Sequence, residues 1–265
     1  MRIGDIDIQP LFDGTGQEVA GEIISRFGVP DAWRCHPEVF GEDGHWEFPV
    51  GGFLVRTGDR VVLVDAGVGP LDEDGYRGGE LLRQLAGHGL GPADVTDVLF
   101  THLHFDHVGW ASVDGRVTFP NATHRAHAAD WQHFVAGEDA TSPAAEKLAP
   151  LGAQLELFDR DHVIAPGIDA RWVPGHTPGT TVFVLSSGAE RAVLLGDVVH
   201  STVQFGERDW TVVWDVDPDA ASQVRNRFAD DAAETGALLA AAHLPGMRFG
   251  RIVITGGTRR FVAVS

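Results

Sequence analysis

Three histidines and an aspartate are packed into six residues, directly after an apolar run that is typical of a buried strand. The run is Val98-Leu99-Phe100, and the polar residues that follow are His102, His104, Asp106 and His107. Imidazole and carboxylate together suit a borderline divalent metal such as zinc, and a tight turn can aim all four side chains at one place. The cluster therefore predicts a fold in which a strand ends at a metal site, and it favours a metal-dependent hydrolase.

The composition is that of an ordinary globular protein. The chain has 265 residues, of which 43% are hydrophobic and 22% charged, enough for one large domain with a substantial core. No low-complexity linker or short repeat divides it, so we expect a single domain over residues 1–265. Its one cysteine, Cys35, excludes an internal disulfide.

Location and partners follow from charge and hydropathy. The N-terminal residues lack the apolar core of a signal peptide, and no apolar run approaches the roughly 18 residues that a membrane helix requires, so we expect a cytoplasmic protein. The formal net charge of −18 repels phosphate backbones and anionic lipids, which disfavours nucleic-acid and membrane partners. A homodimer is compatible with this charge.

Short apolar runs bounded by turns predict strands in both halves of the chain. The predicted strands are Ile3–Ile8, Gly52–Arg56, Val61–Asp65, Val95–Phe100, Ala170–Val173, Thr181–Leu185, Ala192–Gly196, Arg251–Thr255 and Arg260–Val264, with a hairpin turn at 57–60. Helices are predicted over Glu80–Ala86, over Ala128–Val135 and from Pro218, with Asp217 as the N-cap. Strand groups with helices between them favour two sheets packed face to face, with the helices outside.

Three further polar residues stand where apolar runs end. His176 lies in the turn Gly-His-Thr-Pro-Gly, Asp197 ends the run Ala-Val-Leu-Leu-Gly, and His243 follows Leu-Leu-Ala-Ala-Ala. Side chains at the tips of rigid elements can be held with the precision that a metal requires. We therefore add these residues to the candidate ligands.

In this order, these motifs resemble those of the metallo-β-lactamase-fold hydrolases, over roughly Gly51 to Gly250. The resemblance implies an α/β fold, the αββα sandwich, with two mixed sheets face to face, helices outside and a two-metal site between the sheet edges. Asp65, in Leu-Val-Asp-Ala-Gly, matches an early aspartate of the family that supports the metal site without being a ligand itself. The ligands that the resemblance implies are His102, His104 and His176 for one metal, Asp106, His107 and His243 for the other, and Asp197 between both.

Two motifs are similar to the methyl parathion hydrolase branch, which neighbours the N-acyl homoserine lactonases. They are Gly-Asp-Val-Val-His, which ends at His200, and His-Leu-Pro-Gly, which begins at His243. Those lactonases often have a tyrosine shortly after the bridging aspartate; here His200 stands there, and the only tyrosine is Tyr76. The cysteine ligand of some β-lactamases is also missing, because Cys35 lies far upstream of every motif.

The chemistry that the resemblance implies is hydrolysis at two divalent metal ions, with zinc favoured over iron, manganese or cobalt. Two metals about 3.5–4 Å apart can share a water and lower its pKa, so that a bridging hydroxide attacks the substrate. Asp106 would orient the nucleophile or pass its proton to the leaving group. His200 would stabilise the oxyanion or protonate the leaving oxygen, although a structural role is equally open. We expect a small, neutral, apolar ester or lactone as substrate, with phosphotriesters as a further class.

Other functions remain open on the same scaffold. A thioesterase of the glyoxalase II type would need cationic residues for a glutathione carboxylate, and no basic cluster stands near the motifs. A β-lactamase is a second alternative, and a nuclease fits least with the acidic charge. An iron-binding redox protein is an alternative of another class, although no flavodoxin-like extension follows. A binding protein without turnover would have little use for Asp106, because a buried carboxylate is costly.

The remaining histidines and the aromatic residues receive weaker predictions. His124 and His127 resemble another ligand pair, but they stand at a strand-to-helix junction and we interpret them as structural. His36, His45, His88, His133 and His162 are assigned no role. Six aromatic residues lie in segments that the resemblance places near the site mouth, and ordinary core packing is the default for each of them: Phe27, Trp33, Trp46, Phe48, Phe205 and Trp210.

Overall fold

The computed structural model describes residues 1–26, 29, 31–73, 75–137 and 143–264 of the chain. Its strands, in chain order, are β1 (Arg2–Ile3), β2 (Ile6–Val19), β3 (Ile24–Arg26), β4 (His45–Thr57), β5 (Arg60–Val64), β6 (Asp72–Glu73), β7 (Tyr76–Arg77), β8 (Asp97–Leu99), β9 (Ser112–Val113), β10 (Arg116–Val117), β11 (Thr123–His127), β12 (Leu155–Phe158), β13 (His162–Ala165), β14 (Ile168–Trp172), β15 (Thr181–Ser187), β16 (Glu190–Leu194), β17 (Trp210–Val212), β18 (Leu238–Ala240), β19 (Gly250–Thr255) and β20 (Thr258–Ala263). The α-helices are α1 (Ala20–Ile23), α2 (Pro37–Phe40), α3 (Leu81–Gly87), α4 (Phe105–Val108), α5 (Ala128–Trp131), α6 (Pro143–Leu148) and α7 (Pro218–Thr235).

Two mixed sheets hold most of the strands. The first has the order β12-β11-β8-β5-β4-β2-β7-β6, with β1 also paired to β2, and its strands β5, β8, β11 and β12 are mutually parallel. The second has the order β13-β14-β15-β16-β18-β19-β20, in which β16 and β18 are parallel. The ribbons β9–β10 and β3–β17 lie apart from both. The predicted hairpin at 57–60 joins β4 to β5.

The two sheets pack face to face through a buried apolar layer. Phe53, Val64 and Leu99 of the first sheet share one cluster of buried side chains with Phe183 and Leu194 of the second. Because successive side chains of a strand point to opposite faces, the other face of each sheet needs its own cover. The apolar layer between the two sheets is therefore the interior of a sandwich.

Helices cover both outer faces. On the first sheet, Leu81 and Leu85 of α3 pack with Leu63 of β5. On the second, Val224 of α7 packs with Leu239 of β18. The predicted αββα sandwich is therefore confirmed.

The longest helix of the described residues begins where its sequence predicts. Asp217 caps α7 by accepting a hydrogen bond from the backbone N–H of Ala220 at 3.0 Å, and Gly236 ends the helix in a left-handed conformation. Arg225 of this helix is wholly buried and donates a hydrogen bond to the carbonyl oxygen of Trp210. Burial lowers the pKa of its guanidinium to about 10.

The structure refines one predicted segment and corrects another. The helix expected over Ala128–Val135 is the single turn of α5, continued by a π-helix at Gln132–Ala136 that places Phe134 against His104, ring centroids 5.2 Å apart. The strand expected over Ile3–Ile8 is instead a tight hairpin of β1 and β2, in which Ile3 pairs with Ile6, and β2 continues to Val19, beyond where its apolar alternation stops. Tertiary pairing along the length of β4 extends β2 where local propensity does not.

The loops with the candidate ligands meet at one edge of the sandwich. Strands β5 and β8 are parallel to each other, as are β16 and β18, so each pair ends on the same side. The loop after β14 reaches this edge as well, since β14 and β16 are both antiparallel to β15. Carboxyl ends of parallel strands are where ligands usually bind in α/β folds. Among the described residues, no helix is long and apolar enough to cross a membrane.

Candidate metal centre

Three histidines and one carboxylate oxygen form the first ligand group. His102 and His104 lie in the loop after β8, His176 in the loop between β14 and β15, and Asp197 in the turn after β16. The Nδ1 atom of His104 lies 3.0 Å from the Nε2 atoms of both His102 and His176. Asp197 Oδ2 lies 3.6 Å from the same two Nε2 atoms. Four possible ligand atoms thus converge from three separate parts of the chain.

The second ligand group lies on the other side of Asp197. Asp106 and His107 are on α4, and His243 follows β18. Asp106 Oδ2 lies 3.6 Å from His107 Nε2 and 3.4 Å from His243 Nε2. Asp197 Oδ1 lies 3.2 Å from each of these Nε2 atoms. Asp197 therefore offers one oxygen to each group.

The donor set and its burial fit two divalent cations. Within each group, one ligand atom per residue lies within 4.8 Å of the others, counting Asp197 with the histidines of the first group. His107 Nε2 and Asp197 Oδ1 are buried and have no hydrogen-bond partner among the described residues. Buried polar atoms are rarely left without a partner. Imidazole nitrogens and carboxylate oxygens are ligands that zinc takes, so a cation in the second group would satisfy both atoms.

The pKa shifts of the site differ between the two ligand groups. Burial lowers the pKa values of His102 and His104 well below their ordinary value, which favours the neutral imidazole that coordinates a metal. Burial also disfavours the Asp197 carboxylate, but the charges of His243 and His107 outweigh it and hold the pKa of Asp197 well below its usual range. Burial would lower the pKa values of His107 and His243, but the charge of Asp197 outweighs it and holds both above the ordinary value.

Asp65 orients a ligand from behind, as the family motif implies. Its carboxylate accepts hydrogen bonds from Thr101 N at 2.8 Å, from Thr101 Oγ1 at 2.8 Å and from His107 Nδ1 at 2.9 Å. The Thr101 hydroxyl also lies 3.1 Å from His102 Nδ1. Asp65 has a positive φ of 60°, uncommon outside glycine but more readily adopted by Asp and Asn. This backbone conformation and these bonds turn the unused ring nitrogen of His107 away from the site.

Two other orienting contacts were missed by the sequence analysis. Asp215 Oδ1 accepts a hydrogen bond from His176 Nδ1 at 2.9 Å, and the carbonyl oxygen of Pro49 accepts one from His243 Nδ1 at 2.9 Å. Asp215 stands two residues before the helix cap Asp217. No local sequence pattern shows that one aspartate orients a histidine and the other caps a helix. Pro49 lies far from His243 in sequence, and a backbone carbonyl gives no sequence signal.

His200 lies against both ligand groups. Its Nε2 atom is 3.2 Å from Asp197 Oδ2, and its ring is stacked on that of His243, with centroids 5.9 Å apart and planes at 10°. The side chain is buried, and neither ring nitrogen has a hydrogen-bond partner among the described residues. The structure thus places His200 at the site, with Nε2 facing Asp197.

His124 and His127 lie outside both ligand groups. His124, on β11, is buried beside Phe100, and burial lowers the pKa of its imidazole to about 4. His127 caps α5 by accepting from the backbone N–H of Ala129 at 3.2 Å. Its ring stacks on Trp172 at a centroid distance of 4.9 Å. These contacts are the packing roles expected of structural histidines.

The six aromatic residues mostly pack in the core. Phe27 lies outside the described residues. Trp33, Trp46, Phe48 and Trp210 share one buried cluster, whereas Phe205 stacks on Phe261 in the cluster of α7. Phe48 also contacts the ring of His243 at 4.9 Å. Core packing, the default interpretation, describes all five that the structure includes.

A cavity of about 580 Å³ adjoins the start of α4, the helix that carries Asp106 and His107. Phe105, which directly precedes Asp106, forms one wall and contacts the Tyr76 ring at 4.9 Å. The Tyr76 hydroxyl donates to Glu18 Oε1 at 3.1 Å. The other lining residues are Val68, Pro70, Leu71, Glu73, Pro143, Glu146 and Lys147. The cavity therefore combines apolar walls with three carboxylates and one ammonium group, a feature that the sequence analysis did not foresee.

Comparison with known proteins supports this fold. The profile of the Metallo-beta-lactamase superfamily matches residues 47–261. An N-acyl homoserine lactonase of Agrobacterium fabrum is 28% identical over 58% of this chain and 66% of its own length. One of Bacillus cereus is 24% identical over 56% and 62%, so the chain spans less than two thirds of the length of these relatives. A solved dizinc quorum-quenching lactonase, in complex with a product N-hexanoyl-homoserine, has a TM-score of 0.88 at 24% identity, over 100% of this chain and 96% of that one. A hydrolase of the beta lactamase superfamily has a TM-score of 0.88 at 26% identity, with the same coverage.

Proposed function

Because this chain belongs to the metallo-β-lactamase superfamily, we propose that it is a dinuclear metal-dependent hydrolase acting on esters or lactones. The observation that carries the proposal is the position of Asp197. One of its oxygens lies 3.2 Å from the His107 and His243 nitrogens, and the other lies 3.6 Å from those of His102 and His176. A carboxylate placed in this way can hold two cations side by side.

The proposed metal ligands are the residues that the family motifs imply. The metals are two divalent ions, with zinc favoured by the nitrogen-rich donor set. When bound, such a pair would act as a Lewis acid and would lower the pKa of water, supplying a hydroxide nucleophile near neutral pH. The ligands are His102, His104 and His176 for one ion, Asp106, His107 and His243 for the other, and Asp197 for both.

Two side chains are proposed to serve the reaction itself. Asp106 presents its Oδ2 atom between His107 and His243 on the helix turn next to the cavity, where it can orient a nucleophile and take its proton. His200 can donate a hydrogen bond from Nε2 to the oxygen on which negative charge develops, or a proton to the leaving oxygen. His200, beside Asp197, would therefore have the role that a tyrosine has in the N-acyl homoserine lactonases.

The substrate is proposed to be small, neutral and apolar, and to occupy the cavity beside Phe105. The apolar walls suit an acyl chain or ring. Glu18, Glu73 and Glu146 repel an anionic substrate, which disfavours glutathione thioesters and the carboxylate of β-lactams. Relatives named N-acyl homoserine lactonases support a lactone as the reacting group. Phosphotriesters are a second substrate class that this charge pattern admits. A cytoplasmic location and a homodimer remain predictions from the sequence.

Metal analysis joined to a substrate screen tests the proposal. Protein purified without added metal should contain close to two transition-metal equivalents per chain. It should hydrolyse lactones and aryl esters faster than thioesters or β-lactams. Asp197→Asn should lose most of the metal and at least 1,000-fold in kcat/KM, about 4 kcal/mol of transition-state stabilisation. Asp219→Asn, on the exposed start of α7, is the matched control and should behave as wild type. One equivalent or none in the wild type, or redox-active iron without hydrolysis, would contradict the proposal.

A further inference from the structure

One buried carboxylate, that of Asp130, joins the two loops that present the histidines of the first ligand group. Asp130 lies on α5 and is wholly buried. Its Oδ2 atom accepts hydrogen bonds from the backbone N–H of Leu103 at 3.0 Å and from the Thr177 hydroxyl at 3.0 Å. Its Oδ1 atom accepts one from the backbone N–H of Gly179 at 2.5 Å. A single side chain thus connects loops that are distant in sequence.

The partners of Asp130 adjoin the ligands of one group only. Leu103 lies between His102 and His104, and Thr177 directly follows His176. The second group is held differently, since His107 is oriented by Asp65 and His243 by a backbone carbonyl. A change at Asp130 should therefore act on the two metal positions unequally.

Gly179 makes room for the Asp130 carboxylate, whose burial costs free energy. A Cβ atom built on Gly179 would lie 2.7 Å from Asp130 Cγ, so the absence of a side chain there lets the two loops approach. A carboxylate is expensive to bury unless its oxygens are hydrogen-bonded, and an apolar residue would serve simple helix packing better. Its position between two ligand loops, hydrogen-bonded to both, indicates that it sets their spacing.

We propose that Asp130 is a positioning residue that fixes the distance between the His102–His104 loop and the His176 loop. It thereby sets the affinity of the first ligand group for its metal, without touching metal or substrate itself. The inference rests on the two-metal function proposed above. It requires that the second group keep its metal when Asp130 is replaced.

Stepwise removal of metal from the full-length chain tests this inference. Zinc-loaded Asp130→Asn is dialysed against rising concentrations of a zinc chelator, and the retained zinc is measured by elemental analysis. We expect one equivalent to leave at a roughly 10–100-fold lower chelator concentration than in the wild type, while the other is retained as before. Asp97→Asn is the matched control, because Asp97 is also wholly buried but binds Arg60 and Arg125 instead of ligand loops. It should release both metals as the wild type does.

The remaining outcomes separate this inference from the proposed function. Loss of both metals together from folded Asp130→Asn, or unchanged retention of both, would overturn the inference. Fewer than two metals in the wild type would overturn the proposed function instead. If Asp130→Asn does not fold, Thr177→Val decides, because it removes one of the three bonds. Folded Thr177→Val should show the same selective release, and Thr177→Ser, which keeps the hydroxyl, should restore wild-type retention. Full retention by Thr177→Val would contradict the role.

Discussion

Replacing Asp65 by Asn should weaken the fold and the metal centre together. Asn tolerates the φ of 60° at this position, so the variant changes hydrogen bonding with little change in backbone strain. The carboxylate accepts from Thr101 N, Thr101 Oγ1 and His107 Nδ1. An amide offers one oxygen and turns two N–H donors towards these groups, so at least one buried donor loses its acceptor. That loss costs about 1–3 kcal/mol in the metal-free protein.

The metal-loaded protein should lose more stability than the metal-free protein. His107 would no longer be fixed with Nε2 towards Asp106 and Asp197, and a contact of this kind is worth about 10–100-fold in metal affinity. At about 1.4 kcal/mol for each tenfold change, the further loss is roughly 1.4–2.8 kcal/mol.

Denaturant unfolding with and without zinc, together with chelator competition, measures both parts of this prediction. Asp97→Asn is the control, since it removes a buried carboxylate that touches none of the ligands. Equal destabilisation of the loaded and metal-free Asp65→Asn protein, with unchanged zinc affinity, would refute the reasoning.

Two further predictions concern His200 and Asp97. His200→Ala should lower kcat by about 100-fold or more while both metals stay bound, because the ring faces Asp197 without being one of the proposed ligands; an unchanged rate at full metal content would remove its catalytic role. Burial would raise the pKa of Asp97, but hydrogen bonds from Thr96, Arg60 and Arg125 outweigh it and hold that pKa below its ordinary value. The stabilisation is therefore present above the unfolded pKa, near 4, and is lost as the pH falls through the lower folded value. Asp97→Asn should cost about 2–3 kcal/mol at pH 7, and urea unfolding should show the difference from wild type shrinking below pH 4; a constant difference would contradict the assignment.

Much of the fold could be predicted because its signals are local. The cap at Asp217 and the hairpin at 57–60 depend on neighbouring residues, and both appear where expected. The far half of β2 could not be predicted, because Asp13, Gly14 and Gly16 interrupt its alternation. There the Asp13 carboxylate accepts from the backbone N–H groups of Gly69 and Leu81 and from the Trp110 ring, partners that only the folded chain brings near.

The sequence by itself determined the family and the candidate ligands. Clustered histidines at the ends of apolar runs, in a fixed order, can be seen without coordinates, because ligand type and spacing are properties of the chain. Only the tertiary structure decided how Asp197 divides its oxygens between the two groups, and which residues stand behind the ligands. Asp130 and Asp215 gave no sequence signal, since a buried hydrogen bond depends on the meeting of segments far apart in the chain. The cavity proposed for the substrate was likewise decided by packing, which brings Glu18 and Tyr76 together with Phe105, the residue before Asp106.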